Sequence, residues 1–297
     1  MDKIIADLKK TMVSAEHGWV MMVKTGLNAD VYTPIVLEFD TLSNKVHITT
    51  VYGVKDEVDD FFRITKGTGS PQLIFTTGSI MTTLYRIGTQ ASDITDHMYN
   101  VRSVSENEIE IQPYRSGKVY AKEGGEIYKL FKRPADWTWA DSTQIFDWTN
   151  PEFTNNLDNV EGEMTLEYLK TNTTVTKNWR FWSLPNPTIY RIRDPFSVSY
   201  NIGTGGFKPM DYFRVTGEVT NNVSTVVTNG YNAISFYPIP YNTSTNQAVI
   251  ALGNTLKTHY LVFKNQTRNG RHVKLEFEAY DKDGKVIVKA FYDNKRN

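Results

Sequence analysis

Short β-type runs broken by turn residues recur from Trp19 to Tyr292, and no other feature limits the possible folds as tightly. The clearest run, Val273-Lys274-Leu275-Glu276-Phe277-Glu278-Ala279-Tyr280, alternates apolar and polar residues, turns at Asp281-Lys282-Asp283-Gly284 and returns through Val286-Ile287-Val288. A period of two sends successive side chains to opposite faces, so the run reads as a half-buried strand of an antiparallel hairpin. Glu108-Ile109-Glu110-Ile111-Gln112 carries the same pattern. The 34 Thr and 23 Asn among 297 residues suit strands and the turns between them.

The opening segment departs from this texture. Ile4, Ile5, Leu8 and Met12 fall on one face of a helix that Asp2 can cap and Gly18 can stop after His17. Its apolar face packs on its own sheet or on a neighbouring subunit. Strands are expected at 19–23, 31–39 and 45–52, with Pro34 marking an edge or a bulge in the second. The acidic start of Lys55–Ile64 predicts a second short helix. A loop at Lys66–Pro71 leads to strands at 72–76, 80–87, 108–112, 118–121 and 126–131. Residues 1–133 therefore read as an α+β domain with an antiparallel sheet.

Residues 134–189 hold five of the six tryptophans and read as an aromatic-rich arm or connection, with a strand at 164–169. In residues 190–297, eight short β-rich runs are expected at 196–202, 212–219, 225–227, 233–237, 247–252, 260–263, 272–280 and 285–292. That density is the signature of a β-sandwich. The expected fold class is mainly β: an α+β N-terminal domain with an N-terminal helix, and a C-terminal antiparallel β-sandwich.

Several chemistries are missing from the sequence. Without cysteine there is no disulfide, thiolate metal site or cysteine nucleophile, and His17, His47, His97, His259 and His272 make no ligand-like spacing. A net charge of zero argues against a nucleic-acid partner. No run of 18 apolar residues occurs and the first residues are charged, so membrane insertion and a signal peptide are not expected. Gly67-Thr68-Gly69 and Gly203-Thr204-Gly205-Gly206 lack the residues of a phosphate loop. Asp281-x-Asp283-Gly284 lacks the closing acid of a calcium loop and reads as a turn. His259 and His272 could form a site with Asp281 or Asp283 only if a loop brought them together. The carboxylate pairs Asp59/Asp60 and Glu161/Glu163 show nothing of their arrangement in space. The expectation is a non-enzyme with no catalytic residue, metal or cofactor.

The positive feature is the tryptophan-rich segment. Trp137-Thr138-Trp139 puts both indoles on one face if extended, and Trp179-Arg180-Phe181-Trp182 sets a cation among aromatics. Trp137, Trp139, Trp148, Trp179 and Trp182 are the candidate interface residues, since Trp, Tyr and Arg dominate interface cores. Ordinary core packing and a carbohydrate platform stand beside that reading.

Asn-, Thr- and Tyr-rich, cysteine-free and neutral, with an aromatic arm between β-rich domains, the whole chain resembles in texture the structural proteins of tailed-bacteriophage virions: tail, neck, collar and baseplate components and receptor-binding proteins. The resemblance implies a non-enzymatic subunit that oligomerises with itself and docks onto other virion proteins. It would be assembled in the host cytoplasm and located in the virion, with a host-surface glycan as a further partner of an outward-facing sandwich. A carbohydrate-binding or receptor-binding adhesin module is the alternative, and a glycan hydrolase the third reading.

Overall fold

The computed structural model of the protein describes residues 1–24, 30–51, 60–76, 79, 81, 96–114, 127–141, 160–183, 212–217, 220–227, 233–235 and 256–296. It divides into two compact units, the first made mainly from residues up to Trp137 and the second mainly from Thr138 onwards.

The first unit starts with helix α1 (Asp2–Met12), which buries Leu8 and Met12. Met1 holds the N-cap position; Asp2 instead lies in the first turn and pairs with Lys66 at 2.6 Å. The helix stops at Met12, five residues short of His17. Gly18, at φ 82, lies so close to Leu37 and Glu38 that a Cβ would stand 2.9 Å from the Leu37 carbonyl oxygen. Eight strands follow: β1 (Trp19–Lys24), β2 (Tyr32–Asp40), β3 (Lys45–Thr50), β4 (Asp60–Lys66), β5 (Pro71–Phe75), β6 (Met98–Val104), β7 (Glu108–Pro113) and β8 (Tyr128–Lys132). Each pairs with the next, β8 pairs with β1, and the ring is closed.

This corrects the expected α+β domain: the described part of the first unit is a closed barrel with one helix. Residues 60–64, taken as part of a second helix, belong to β4, because Asp60 and Phe62 are buried while Phe61 and Arg63 are exposed, a period of two. Strand β6 was not foreseen; its polar Asn100, Arg102 and Ser103 dilute the pattern. Pro34 precedes Ile35, where the β2–β3 ladder begins, so its missing N–H costs that ladder nothing. Apart from the buried Met81, the expected strand at 80–87 lies outside the described residues, as does that at 118–121.

The second unit is a second ring. It comprises β9 (Val160–Tyr168), β10 (Thr173–Ser183), β11 (Tyr212–Gly217), β12 (Thr220–Val227), β13 (Ala233–Ser235), β14 (Tyr260–Asn269), β15 (His272–Tyr280) and β16 (Val286–Asp293). Neighbours in sequence pair antiparallel, and β16 returns to pair with β9 from Val288↔Tyr168 to Asp293↔Glu163. The expected sandwich is thus overturned: its strands form one closed sheet, not two stacked ones. The segment 134–189, expected as an arm, supplies β9 and β10 of this ring. The runs at 196–202 and 247–252 lie outside the described residues.

Ring closure fixes the strand stagger. From Tyr168 the pairs cross to Thr173, climb β10 by eight residues to Phe181, cross to Val223, climb three to Val226, cross to Tyr260, climb three to Phe263, and cross to Leu166, two residues above the start. The net stagger is twelve. With strands about 4.8 Å apart and a rise of about 3.3 Å per residue, twelve over eight strands means a tilt of about 45° and a backbone radius of about 9 Å, against roughly 7.6 Å at the stagger of eight found in (β/α)8 barrels.

Gly162 shows how closely the wall is fitted. A Cβ there would stand 2.6 Å from the Asp293 carbonyl oxygen and 2.7 Å from the Tyr292 hydroxyl. Gly162→Ala is expected to lower stability by about 1–3 kcal/mol, although Gly→Ala at an unstrained site raises it by up to about 1 kcal/mol. Urea unfolding of the full chain measures the difference, and an alanine variant as stable as the parent would show that Tyr292 is not seated over Gly162.

Candidate functional site

In the first barrel the inner face is occupied by rings. Phe39 meets Phe62 edge-on at 5.1 Å, Phe75 meets Tyr99 at 6.2 Å, and Tyr99 meets Tyr128 at 6.4 Å, a chain of aromatics across β2, β4, β5, β6 and β8. The Tyr99 hydroxyl donates to the Asp96 carbonyl at 2.5 Å and accepts from the Asp96 N–H, so its polar end is satisfied inside the wall. Trp19, also buried, donates its indole N–H to the Met12 carbonyl at the end of α1.

In the second barrel the register separates two faces. Val160, Gly162, Met164, Leu166 and Tyr168 of β9 alternate with polar positions, and Met164, Leu166 and Gly162 stand opposite Lys177, Val175 and Trp179 of β10. Thr165 and Thr176 join hydroxyls at 3.0 Å on the exposed outer side, which fixes their neighbours as inner residues. Leu275, Phe277 and Ala279 of β15, Val288, Ala290 and Tyr292 of β16 and Phe263 of β14 lie on the same inner wall. All of these are buried except Val175 and Lys177, which stay half-exposed. The reason lies in the ladder: among the described residues β11 meets β10 only from Arg180 to Ser183, so the half of β10 from Thr173 to Trp179 has no β11 neighbour.

The Tyr168 hydroxyl donates to the Leu256 carbonyl at 2.7 Å, and burial lifts its pKa to about 12. Tyr260 accepts from the Tyr280 N–H, and burial raises both hydroxyls above their ordinary range. On the outer face, Asp293 accepts from His272 at 2.8 Å and lies 3.5 Å from Lys274, while Lys295 pairs with Glu163 at 2.7 Å. Burial works against the Asp293 charge, but the Lys295 N–H, His272 and Lys274 outweigh it and hold the carboxyl below its usual range. The cluster ties β15, β16 and β9 together and contains no nucleophile.

Three of the five tryptophans have described side chains, and all three are buried. Trp137 is buried in the first unit with its edge on Phe131 at 6.4 Å. Trp139 is buried in the second, in a short 3-10 turn (Thr138–Ala140), stacked on Tyr280 at 6.4 Å. Trp179 is buried opposite Gly162. Trp182 pairs in register with Arg214, its side chain lying outside the described residues, as does Trp148 altogether. The burial of Trp137, Trp139 and Trp179 is what core packing requires. Asp281 proves to be a turn residue: its carboxylate accepts from the N–H groups of Asp283 and Lys285. Gly67 and Gly69 shape the β4–β5 turn, where the Gly67 N–H reaches the Ser70 carbonyl. Asp60 is buried on the inner side of the first barrel, while Asp59 and Gly203–Gly206 lie outside the described residues. No three His, Asp or Glu among the described residues are placed to share a metal ion, and no helix among them is long and apolar enough to cross a membrane.

The sequence reading passed over Lys177. Its signal was parity: Val175, Lys177 and Trp179 share one face of a strand, so the lysine occupies an otherwise apolar side.

No family model matches the chain, and no curated protein matches it. Among solved structures it is similar to a protein of unknown function from the DUF3598 family of Nostoc punctiforme PCC 73102, at 9% identity and a TM-score of 0.23, covering 96% of this chain and 97% of that one.

His259 gives the second unit a pH signature. It is fully buried, and burial lowers its pKa from 6.5 to about 3. Below pH 6.5 the unfolded chain takes up a proton that the folded chain refuses, so stability falls as the pH drops towards 3, by at most about 1.4 kcal/mol per pH unit. His259→Gln should flatten the dependence of the urea midpoint between pH 6.5 and 4 relative to the parent; identical slopes would mean that His259 is not buried neutral.

Proposed function

We propose that the second unit is a non-catalytic binding barrel for one small, largely apolar molecule, which enters along the half of β10 that β11 does not cover. Eight-stranded barrels are just wide enough either to fill with side chains or to hold one small ligand. The first barrel follows the former course, with its inner face given over to aromatic rings. The single observation that carries the reading is that Val175 and Lys177 keep solvent access beside the buried Met164, Leu166 and Trp179 on the same inner face.

A ligand lying there would extend the apolar lining of Met164, Leu166 and Trp179, and its transfer from water would supply the affinity at about 25 cal/mol per Å2 of apolar surface removed. Assembly through tryptophan anchors draws no support from Trp137, Trp139 and Trp179, each buried in its own unit.

Titration of the full chain with decanol, followed by tryptophan fluorescence and calorimetry, is expected to show saturable one-to-one binding and a raised Tm. Val175→Trp, which fills the accessible position, should abolish binding while leaving the far-UV circular dichroism unchanged. Decanol bound equally well by parent and variant would place the ligand elsewhere.

A further inference from the structure

We propose that Asn269 is a site of self-modification, at which the folded chain deamidates through a succinimide closed by the Gly270 nitrogen. Asn269 pairs with His272 as the last rung of the β14–β15 ladder, so Gly270 and Arg271 form a two-residue turn and the Gly270 N–H lies beyond the rungs. A turn of that length with positive φ at its first central residue takes glycine there. Gly270 holds φ 59, with nothing within 4 Å of where a Cβ would stand. The residue that the turn requires is also the one that leaves the attacking nitrogen unshielded by a side chain.

Two further features set this asparagine apart. Among the described residues Asn269 is the asparagine followed by glycine, the pair Asn229-Gly230 lying outside them. Residues 265–271 are all exposed, so the strand end can leave its extended conformation at little cost and bring Cγ onto the Gly270 nitrogen. The β15–β16 turn supplies the contrast. There the Gly284 N–H donates to the Asp281 carbonyl at 3.0 Å and the Asp283 N–H to the Asp281 carboxylate, which holds Asp283-Gly284 against the same attack. In the reaction the Gly270 nitrogen bonds to Cγ of Asn269, and the side-chain NH2 leaves as ammonia with the proton of that nitrogen. One water then opens the ring at either carbonyl, giving aspartate or isoaspartate, and no oxidant or reductant takes part. The product carries a new negative charge cross-strand from His272 and between Arg268 and Arg271 in the chain. Isoaspartate also adds one carbon to the backbone of the hairpin.

The test holds the full chain in mildly alkaline buffer, cuts samples with endoproteinase Lys-C and sequences the peptide 265–274 by mass spectrometry. That peptide carries its own reference, Asn265, which is also exposed but precedes Gln266. Asn269 is expected to convert several-fold faster than Asn265 and to give both isomers, since isoaspartate arises only through the ring. Asn269→Gln, whose ring would be the less readily formed six-membered one, should leave position 269 unmodified over the same period. Conversion at Asn269 no faster than at Asn265, conversion only after unfolding in urea, or aspartate without isoaspartate would each overturn the assignment.

Discussion

The pairing of β16 with β9 is the contact on which the second unit depends. A strand at an open edge presents unpaired N–H and C=O groups that must find water or another chain; six successive pairs from Val288↔Tyr168 to Asp293↔Glu163 remove that edge from both strands. Closure also imposes a parity. Because side chains alternate with a period of two, a ring whose net stagger were odd would turn inner residues outward on one circuit. Two odd steps, on β12 and β14, are needed to reach Leu166 with the same facing as Tyr168, and they cancel. A one-residue slip anywhere would expose Met164, Leu275 and Tyr292 together, so register and core are one constraint.

That constraint sorts charge. Each acidic position of β9, β15 and β16 alternates with an apolar one, so closing the ring in register sends the acids to solvent and the apolar residues inward without any further device. Burying an unpaired carboxylate would cost several kcal/mol, whereas on the outer face Glu163, Glu278 and Asp293 meet lysines in exposed or half-exposed pairs worth roughly 0–1 kcal/mol each. The apolar wall holds the barrel together and the ion pairs follow its register.

Much of this was written locally in the sequence. The β15–β16 hairpin was legible because alternation, an Asp-Gly turn and a returning apolar run occur within twenty-one residues, and the structure keeps all three. Closure was not legible. β1 meets β8 and β9 meets β16 across more than a hundred residues, and a sandwich strand alternates just as a barrel strand does, so the runs could not distinguish two stacked sheets from one ring. The acidic start at 55–60 favoured a helix on local grounds, yet Phe62 faces inward beside Phe39 and Phe75, a tertiary packing that overrides propensity. The tryptophans attracted notice by number, but number says nothing of exposure. Lys177 was hidden for the opposite reason: it is an ordinary residue in a Thr- and Asn-rich run, and it stands out only once Thr176 is known to face Thr165.

The two barrels share strand number and connectivity, so any difference in what they do must come from the residues facing inward, not from the fold. In the first, five rings spaced 5.1–6.5 Å apart leave the interior to side chains. In the second, glycine and alanine at 162, 279 and 290 take inner positions, and among the described residues β11 pairs with β10 only from Arg180 to Ser183. An ammonium on an apolar face is stable only where water or a counter-charge reaches it. Partial exposure supplies the water at Lys177. The half-exposed Val175 and Lys177, set beside the buried Met164, Leu166 and Trp179, are the feature of the second barrel that points to a ligand.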